Sequence, residues 1–326
     1  MALILASATV RLPFAFAQTQ PEAKRLFLAQ KYDSGRVSIV FDAVQFDGTI
    51  PPDLIKHARV LEQGLLDLDD LPAKYMSELQ SQPNAVPFAL GDKYLVLGGN
   101  GLEVPVTLRT LTGEAADEGV GNDSYIGALA TTDRQDALWF ANDYCVVRRL
   151  TEPLSIPKPP FKPITAYAGL WDEPVRFNTM AQIVKLLTER MMAMASEKER
   201  AAAANVSPAV EVQQFRIAGG ELRYYARAEW NSGRHWHGIP LPDYALGAWL
   251  MTEPELRVLA IEKSTGGIGF DDELPRLLNV VDLGDGRTGM ILSVNGQESG
   301  YTNVLEYRDG LDVKHMTMLQ SVGGGE

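Results

Sequence analysis

Apolar and polar positions alternate with a period of two along most of this chain, the spacing of a β-strand with one face turned inward. Val37, Ile39, Phe41 and Ala43 interleave with Ser38, Val40, Asp42 and Val44, so residues 37–46 read as a strand covered on both faces. Residues 18–32 before it read as a polar lead-in. Tyr94–Leu97 and Leu102–Leu108 flank Gly98-Gly99-Asn100-Gly101, a hairpin pattern. Residues 113–124 read as a polar loop, and 125–130, 137–140 and 144–149 as further strands. From Val210 onward the pattern is nearly all β. Strands are expected at 210–217, 222–230, 246–251, 256–262, 277–283, 288–294, 301–307 and 312–319, with Gly219-Gly220 and Asp309-Gly310 as turns. The terminal Gly323-Gly324-Gly325-Glu326 reads as frayed.

A helical period replaces this alternation in two stretches. In residues 51–82, Pro51-Pro52-Asp53 opens a run in which Leu54, Ala58, Leu61, Leu65 and Leu68 recur every three or four positions, up to Pro72. A second short helix is expected at 74–79. In residues 179–204, Met180, Val184, Leu187, Met191 and Met194 share a face, with Asn178 or Thr179 as the cap. That stripe suits packing on the chain's own sheet, or the seam of a homodimer.

The order of these elements predicts an α+β, β-dominant chain of antiparallel, hairpin-built sheets with one prominent amphipathic helix; an irregular β-propeller is the alternative. Prolines at 153, 157, 159, 160 and 163 mark residues 151–163 as a stiff spacer between an N-terminal α/β-mixed part, 18–150, and a C-terminal part of helix plus antiparallel β, 164–326. Residues 1–17 carry an apolar run ending Ala15-Phe16-Ala17 before a polar stretch. That predicts a signal peptide and a periplasmic or extracellular location, with a cytoplasmic protein as the alternative.

Composition narrows the partners. The 326 residues are 45% hydrophobic and 22% charged, which is globular, and the net charge of −12 comes with no Lys/Arg cluster, which disfavours nucleic acid. No later apolar run reaches the ~18 residues of a transmembrane helix. Cys145 is the single cysteine, so no disulfide framework or thiolate zinc site arises within the chain. Its β-like setting predicts a buried, inert thiol.

Two stretches carry candidate chemistry. Arg234-His235-Trp236-His237-Gly238 places two imidazoles two apart, on one face if extended, where they could ligate Zn²⁺ or Cu²⁺. With Trp230 and Tyr244 nearby, His235, Trp236 and His237 could equally form a surface contacting a glycan, peptide or protein. The other stretch is Asp282-Leu283-Gly284-Asp285-Gly286 between two β-like runs. It reads as an Asp/Gly hairpin, or as a loop whose Asp282 and Asp285 hold a hard cation.

With Val281, Arg287, Glu298-Ser299-Gly300-Tyr301 and Tyr307-Arg308-Asp309-Gly310, that turn resembles the Asp-rich loop of FG-GAP/VCBS-type β-propeller repeats over about 45 residues. The resemblance implies a propeller blade, Ca²⁺ at the loop, and adhesion or ligand binding. No G-x-S-x-G elbow or H-E-x-x-H helix occurs. The expected function is therefore a non-catalytic binding or structural module. The alternative is an extracellular hydrolase in which Glu229, beside Trp230, performs acid/base work.

Overall fold

A computed structural model of the chain describes residues 26–31, 36–40, 66–67, 91–98, 103–114, 125–131, 144–150, 168–171, 174–204, 206–231, 235–236, 239–240, 244–251, 255–264, 274–295, 299–308 and 316–325. The signal-peptide reading, the proline spacer, the strand at 137–140, the helix at 74–79 and the Asp309-Gly310 turn lie outside them.

The N-terminal strands close into a barrel. β1 (Leu26–Lys31), β2 (Arg36–Val40), β4 (Lys93–Leu97), β5 (Glu103–Glu114), β6 (Tyr125–Thr131) and β7 (Tyr144–Arg149) pair in the order β5-β4-β7-β1-β2-β6, and β6 returns to β5. Every pair is antiparallel. β3 (Leu66–Asp67) adds to the far end of β5. The period-two pattern explains the wall. Phe27, Ala29, Cys145 and Val147 alternate with Leu26, Leu28 and Val146, and both sets are buried. The second set faces another sheet; the first fills the barrel, where Phe27 and Tyr94 meet edge-on at 6.4 Å.

Two open sheets follow. The helix-covered sheet runs β14 (Arg257–Ser264), β13 (Tyr244–Met251), β10 (Leu222–Trp230), β9 (Ala209–Arg216), β8 (Gly169–Trp171). The central sheet is a meander of β15 (Arg276–Gly284), β16 (Arg287–Asn295), β17 (Ser299–Arg308) and β18 (Thr317–Gly325). A separate two-stranded piece pairs β11 (His235–Trp236) with β12 (Ile239–Pro240).

The central sheet is buried on both faces. Leu277, Val280, Met290 and Tyr307 pack against Phe215, Tyr225 and Trp249 of the helix-covered sheet. Val281, Leu283, Ile291 and Val304 pack against Leu26, Leu28, Leu95 and Leu97 of the barrel. That is why residues 277–283 and 288–294 are almost continuously apolar. Polar groups fix the docking on each side. Gln320 accepts the backbone N–H of Leu28, and Asn279 donates to the carbonyl of Tyr144. On the other face Gln213 donates to Leu277 O at 2.9 Å, and Thr288 accepts the N–H of Ala218 at 2.7 Å. These groups are largely excluded from water, so each bond satisfies an atom that would otherwise be costly to bury.

Helix α1 (Phe177–Met194) lies on the remaining face of the helix-covered sheet, with Ile183, Leu187 and Met191 buried against Tyr224, Ala226, Leu246 and Leu250. This bears out the β-dominant α+β reading with antiparallel sheets and a prominent helix.

Several expectations change. The propeller does not exist: a closed barrel and two stacked open sheets replace repeated blades around an axis. A blade is itself a four-stranded antiparallel meander, so β15–β18 look like one locally. The polar lead-in contains β1, whose Leu26-Phe27-Leu28-Ala29 is buried. Leu66–Asp67, expected in a helix, is a strand paired with Gly113 and Thr112. The glycine-rich end is ladder-paired, with Gly323, Gly324 and Gly325 opposite Tyr301, Gly300 and Ser299. The helix at 179–204 breaks at Ala195, which is extended, and α2 (Glu197–Ala203) restarts under a Ser196/Glu199 capping box. α1 begins at Phe177 with Arg176 at the N-cap and no side-chain cap, not at Asn178 or Thr179. Met194 is 40% exposed and leaves the inward face to Ile183.

Candidate functional site

The acidic turn joins β15 to β16 and is a two-residue hairpin. Asp285 and Gly286 both take left-handed backbone, with φ of 55° and 75°, between the paired residues Gly284 and Arg287. Both central residues at positive φ is the type I′ pattern, for which Asp-Gly is favoured because glycine carries no Cβ penalty there. Asp282 Oδ1 accepts the N–H of Gly284 at 2.8 Å, so this carboxylate holds the strand end. Asp285 projects into solvent. The guanidinium of Arg287 reaches back to Leu283 O and across to Glu306, each at 3.3 Å. Among the described residues no group of three His, Cys, Asp or Glu side chains is placed to hold a metal ion.

The aromatic surface divides. Trp230 and Tyr244 come together as the spacing suggested, as cross-strand partners with rings edge-on at 5.9 Å. Both are buried beneath the helices, so they are core and not a ligand-facing surface. The reason is parity: Trp230 shares its strand face with Tyr224, Ala226 and Ala228, the face that receives α1. Lys263 caps the Tyr244 ring at 5.0 Å and pairs with Glu199 of the α2 capping box at 3.3 Å, tying α2 to β14. Burial and the Glu199 charge push the Tyr244 hydroxyl up to about 12. Ser196 backbone and side-chain hydrogen bonds and the Lys263 ammonium hold the Glu199 carboxyl below its ordinary range, against desolvation. His235 and Trp236 form β11, and His237 lies outside the described residues.

Glu229 and Cys145 are both structurally engaged. Glu229, 39% exposed, pairs with Arg227 at 2.9 Å. Cys145 lies inside the barrel, its Sγ 3.6 Å from Ala29 O, and burial pushes its thiol up to about 12, so the nucleophilic thiolate is suppressed. Asp92 pairs with Arg149 at 2.8 Å.

One cluster escaped the sequence reading. On the inner face of the helix-covered sheet, Glu211, Arg227, Gly247 and Glu262 align across four strands. Tyr225 and Trp249 occupy the adjoining row, ring centroids 4.4 Å apart, and the Tyr225 hydroxyl donates to Pro275 O at 2.6 Å. Burial raises the Glu262 carboxyl above its ordinary range, and its Oε2 and the nearby Trp249 indole N–H are both buried without a hydrogen-bond partner. The same burial, with the Glu262 and Glu211 charges, raises the Tyr225 hydroxyl, opposed by Arg227. The available clue was parity: Glu262 falls in phase with inward Ala260.

Glu262 has a signed consequence for stability. A carboxyl whose folded pKa is raised favours folding in its protonated form. That contribution is present at low pH and is lost as pH rises from the unfolded carboxyl range through the folded value. Glu262→Gln is therefore expected to stabilise the protein by about 1 kcal/mol at pH ~7 and to be neutral at pH ~3. Urea titrations at both pH values check this, and equal effects at the two would refute it.

No helix among the described residues is long and apolar enough to cross a membrane. No family model matches the chain, and neither a curated protein nor a solved structure matches it.

Proposed function

We propose that this chain is an exported, non-catalytic binding or structural module whose partner is a glycan, a peptide or another protein. The observation that supports this reading is the doubly buried central sheet, clamped to the barrel by Gln320 and Asn279 and to the helix-covered sheet by Gln213 and Thr288. Three β layers locked face to face make a stiff body, a build suited to holding a partner. Export rests on the Ala15-Phe16-Ala17 stretch. With Trp230 and Tyr244 in the core, contact with a ligand falls to His235, Trp236 and His237. The Asp282/Asp285 turn works as a hairpin; Ca²⁺ there is a secondary reading, supported by the exposed Asp285.

Capture on glycan and peptide arrays, run beside a panel of chromogenic glycoside and ester substrates, tests this. Trp236→Ala is expected to weaken capture about tenfold or more without lowering the melting temperature. Substrate turnover that Glu229→Gln abolishes would establish the hydrolase instead.

A further inference from the structure

Apolar burial holds β14 only weakly. Of its eight residues Ala260 alone is buried, whereas seven of the eight on β13 are. Among the described strands β14 pairs with β13 alone, and a register shift at Trp249/Leu250 interrupts that ladder. With so little apolar contact, its polar groups decide how firmly it stays in place. Glu262 and Lys263, consecutive on the strand, point to opposite faces. On the inner face, Glu262 Oε2 and Trp249 Nε1 are both buried without a hydrogen-bond partner. The other groups in that region are Glu211 on β9 and Tyr225 and Arg227 on β10, with Leu274 and Pro275 ahead of β15. Tyr225 donates its proton to Pro275 O. Arg227 pairs with Glu229 at 2.9 Å and stands two strands from Glu262, ~10 Å at the backbone. On the outer face, Lys263 lies over the Tyr244 ring and pairs with Glu199 of α2 at 3.3 Å. Of the other charges on α2, Arg200 donates to Met192 O, and Glu197 and Lys198 are exposed.

We propose that β14 is a pH-gated edge strand, held on β13 while Glu262 carries a proton and Glu199 a charge, and released when either is lost. The two requirements run in opposite directions with pH. Burial keeps Glu262 protonated above the ordinary carboxylate range. Glu199, against desolvation, stays ionised below that range through its Ser196 hydrogen bonds and Lys263. The Glu262 contribution is complete at low pH and fades as pH rises from the unfolded carboxyl range through the folded value. The Glu199 contribution is complete at high pH and fades as pH falls from the same range through its own folded value. Both are complete only near the ordinary glutamate value, about pH 4.3, so β14 is gripped hardest there. Above it, ionised Glu262 sets a charge in a buried place, in the same row as Glu211, and leaving with its strand returns that charge to water. Below it, protonated Glu199 gives up the Lys263 ion pair that ties β14 to α2. Release opens the outer edge of β13 and withdraws Lys263 from the Tyr244 ring.

Amide hydrogen exchange of the full chain at pH about 3, 4.3 and 7.5 tests this, with protection corrected for the intrinsic pH dependence of exchange and β7 of the barrel as internal reference. Relative to β7, protection across Arg257–Ser264 should peak near pH 4.3, fall about tenfold or more by pH 7.5 and fall less by pH 3. Glu262→Gln should abolish the alkaline fall and keep the acid one. Glu199→Gln should abolish the acid fall and keep the alkaline one, at lower protection throughout. Wild-type β14 that follows β7 at every pH would overturn the proposal without recourse to any variant. So would an alkaline fall that survives Glu262→Gln, or an acid fall that survives Glu199→Gln.

Discussion

Trp249→Ala will destabilise the protein by about 3–5 kcal/mol, the range for deleting a buried Trp or Phe side chain. Trp249 is among the largest fully enclosed side chains of the fold. It stands on β13 with the Tyr225 ring 4.4 Å and the Phe215 ring 5.9 Å away, and Leu277, Val280 and Met290 of the central sheet complete its surroundings. Truncation opens a cavity where two sheets meet. Backbones tied by the Gln213–Leu277 and Ala218–Thr288 bonds resist collapsing into it. The urea midpoint should fall with little change in slope, because the unfolded surface is nearly the same. A loss under about 1 kcal/mol would mean that the central sheet does not pack on this face.

Gly289→Ala is expected to cost about 1–3 kcal/mol, although two effects of opposite sign compete. Replacing glycine in an ordinary strand conformation restricts the unfolded chain and stabilises by about 0.4–1 kcal/mol. At Gly289, however, a Cβ would stand 2.6 Å from Val281 Cγ2 and 2.9 Å from Leu283 Cδ2. Neither side chain can retreat freely, since both are wedged against Leu26, Leu28, Leu95 and Leu97 of the barrel. Steric strain therefore outweighs the entropy gain. The double variant with Val281→Ala makes room and should be less destabilised than the sum of the two single changes. Thermal melting of the set decides it, and a higher melting temperature for Gly289→Ala alone would show that the central sheet and barrel are not in contact there.

Local signals in the sequence translated well into local structure. The Gly219-Gly220 turn, the Asp285-Gly286 hairpin and the run to Leu97 with its return from Glu103 all sit where turn chemistry and period-two alternation put them. The helix is legible from its spacing; its break at Ala195 leaves no mark on that period, although Ser196-x-x-Glu199 spells a capping box in the sequence. β1 was hidden because its four apolar residues form a run too short to display a period. The aromatic pair shows the opposite difficulty. Trp230 and Tyr244 are neighbours, yet what covers a strand face is decided by another element, here α1, arriving from 36 or more residues away. The blade-like resemblance failed for a related reason: a meander carries no record of what its sheet stacks upon.

The amino-acid order alone determined the antiparallel hairpins, the amphipathic helix, the inert buried thiol and the acidic balance, because each depends on neighbours a few positions away or on composition. Tertiary structure alone decided that β7 slots between β1 and β4 to close a barrel, that the central sheet is enclosed on both faces, and that Glu262 is drawn in beside Trp249. Those outcomes depend on pairings between distant segments, as when Ala29 meets Cys145. Such pairings are selected by the free energy of burying whole faces together, and no short window of sequence contains it.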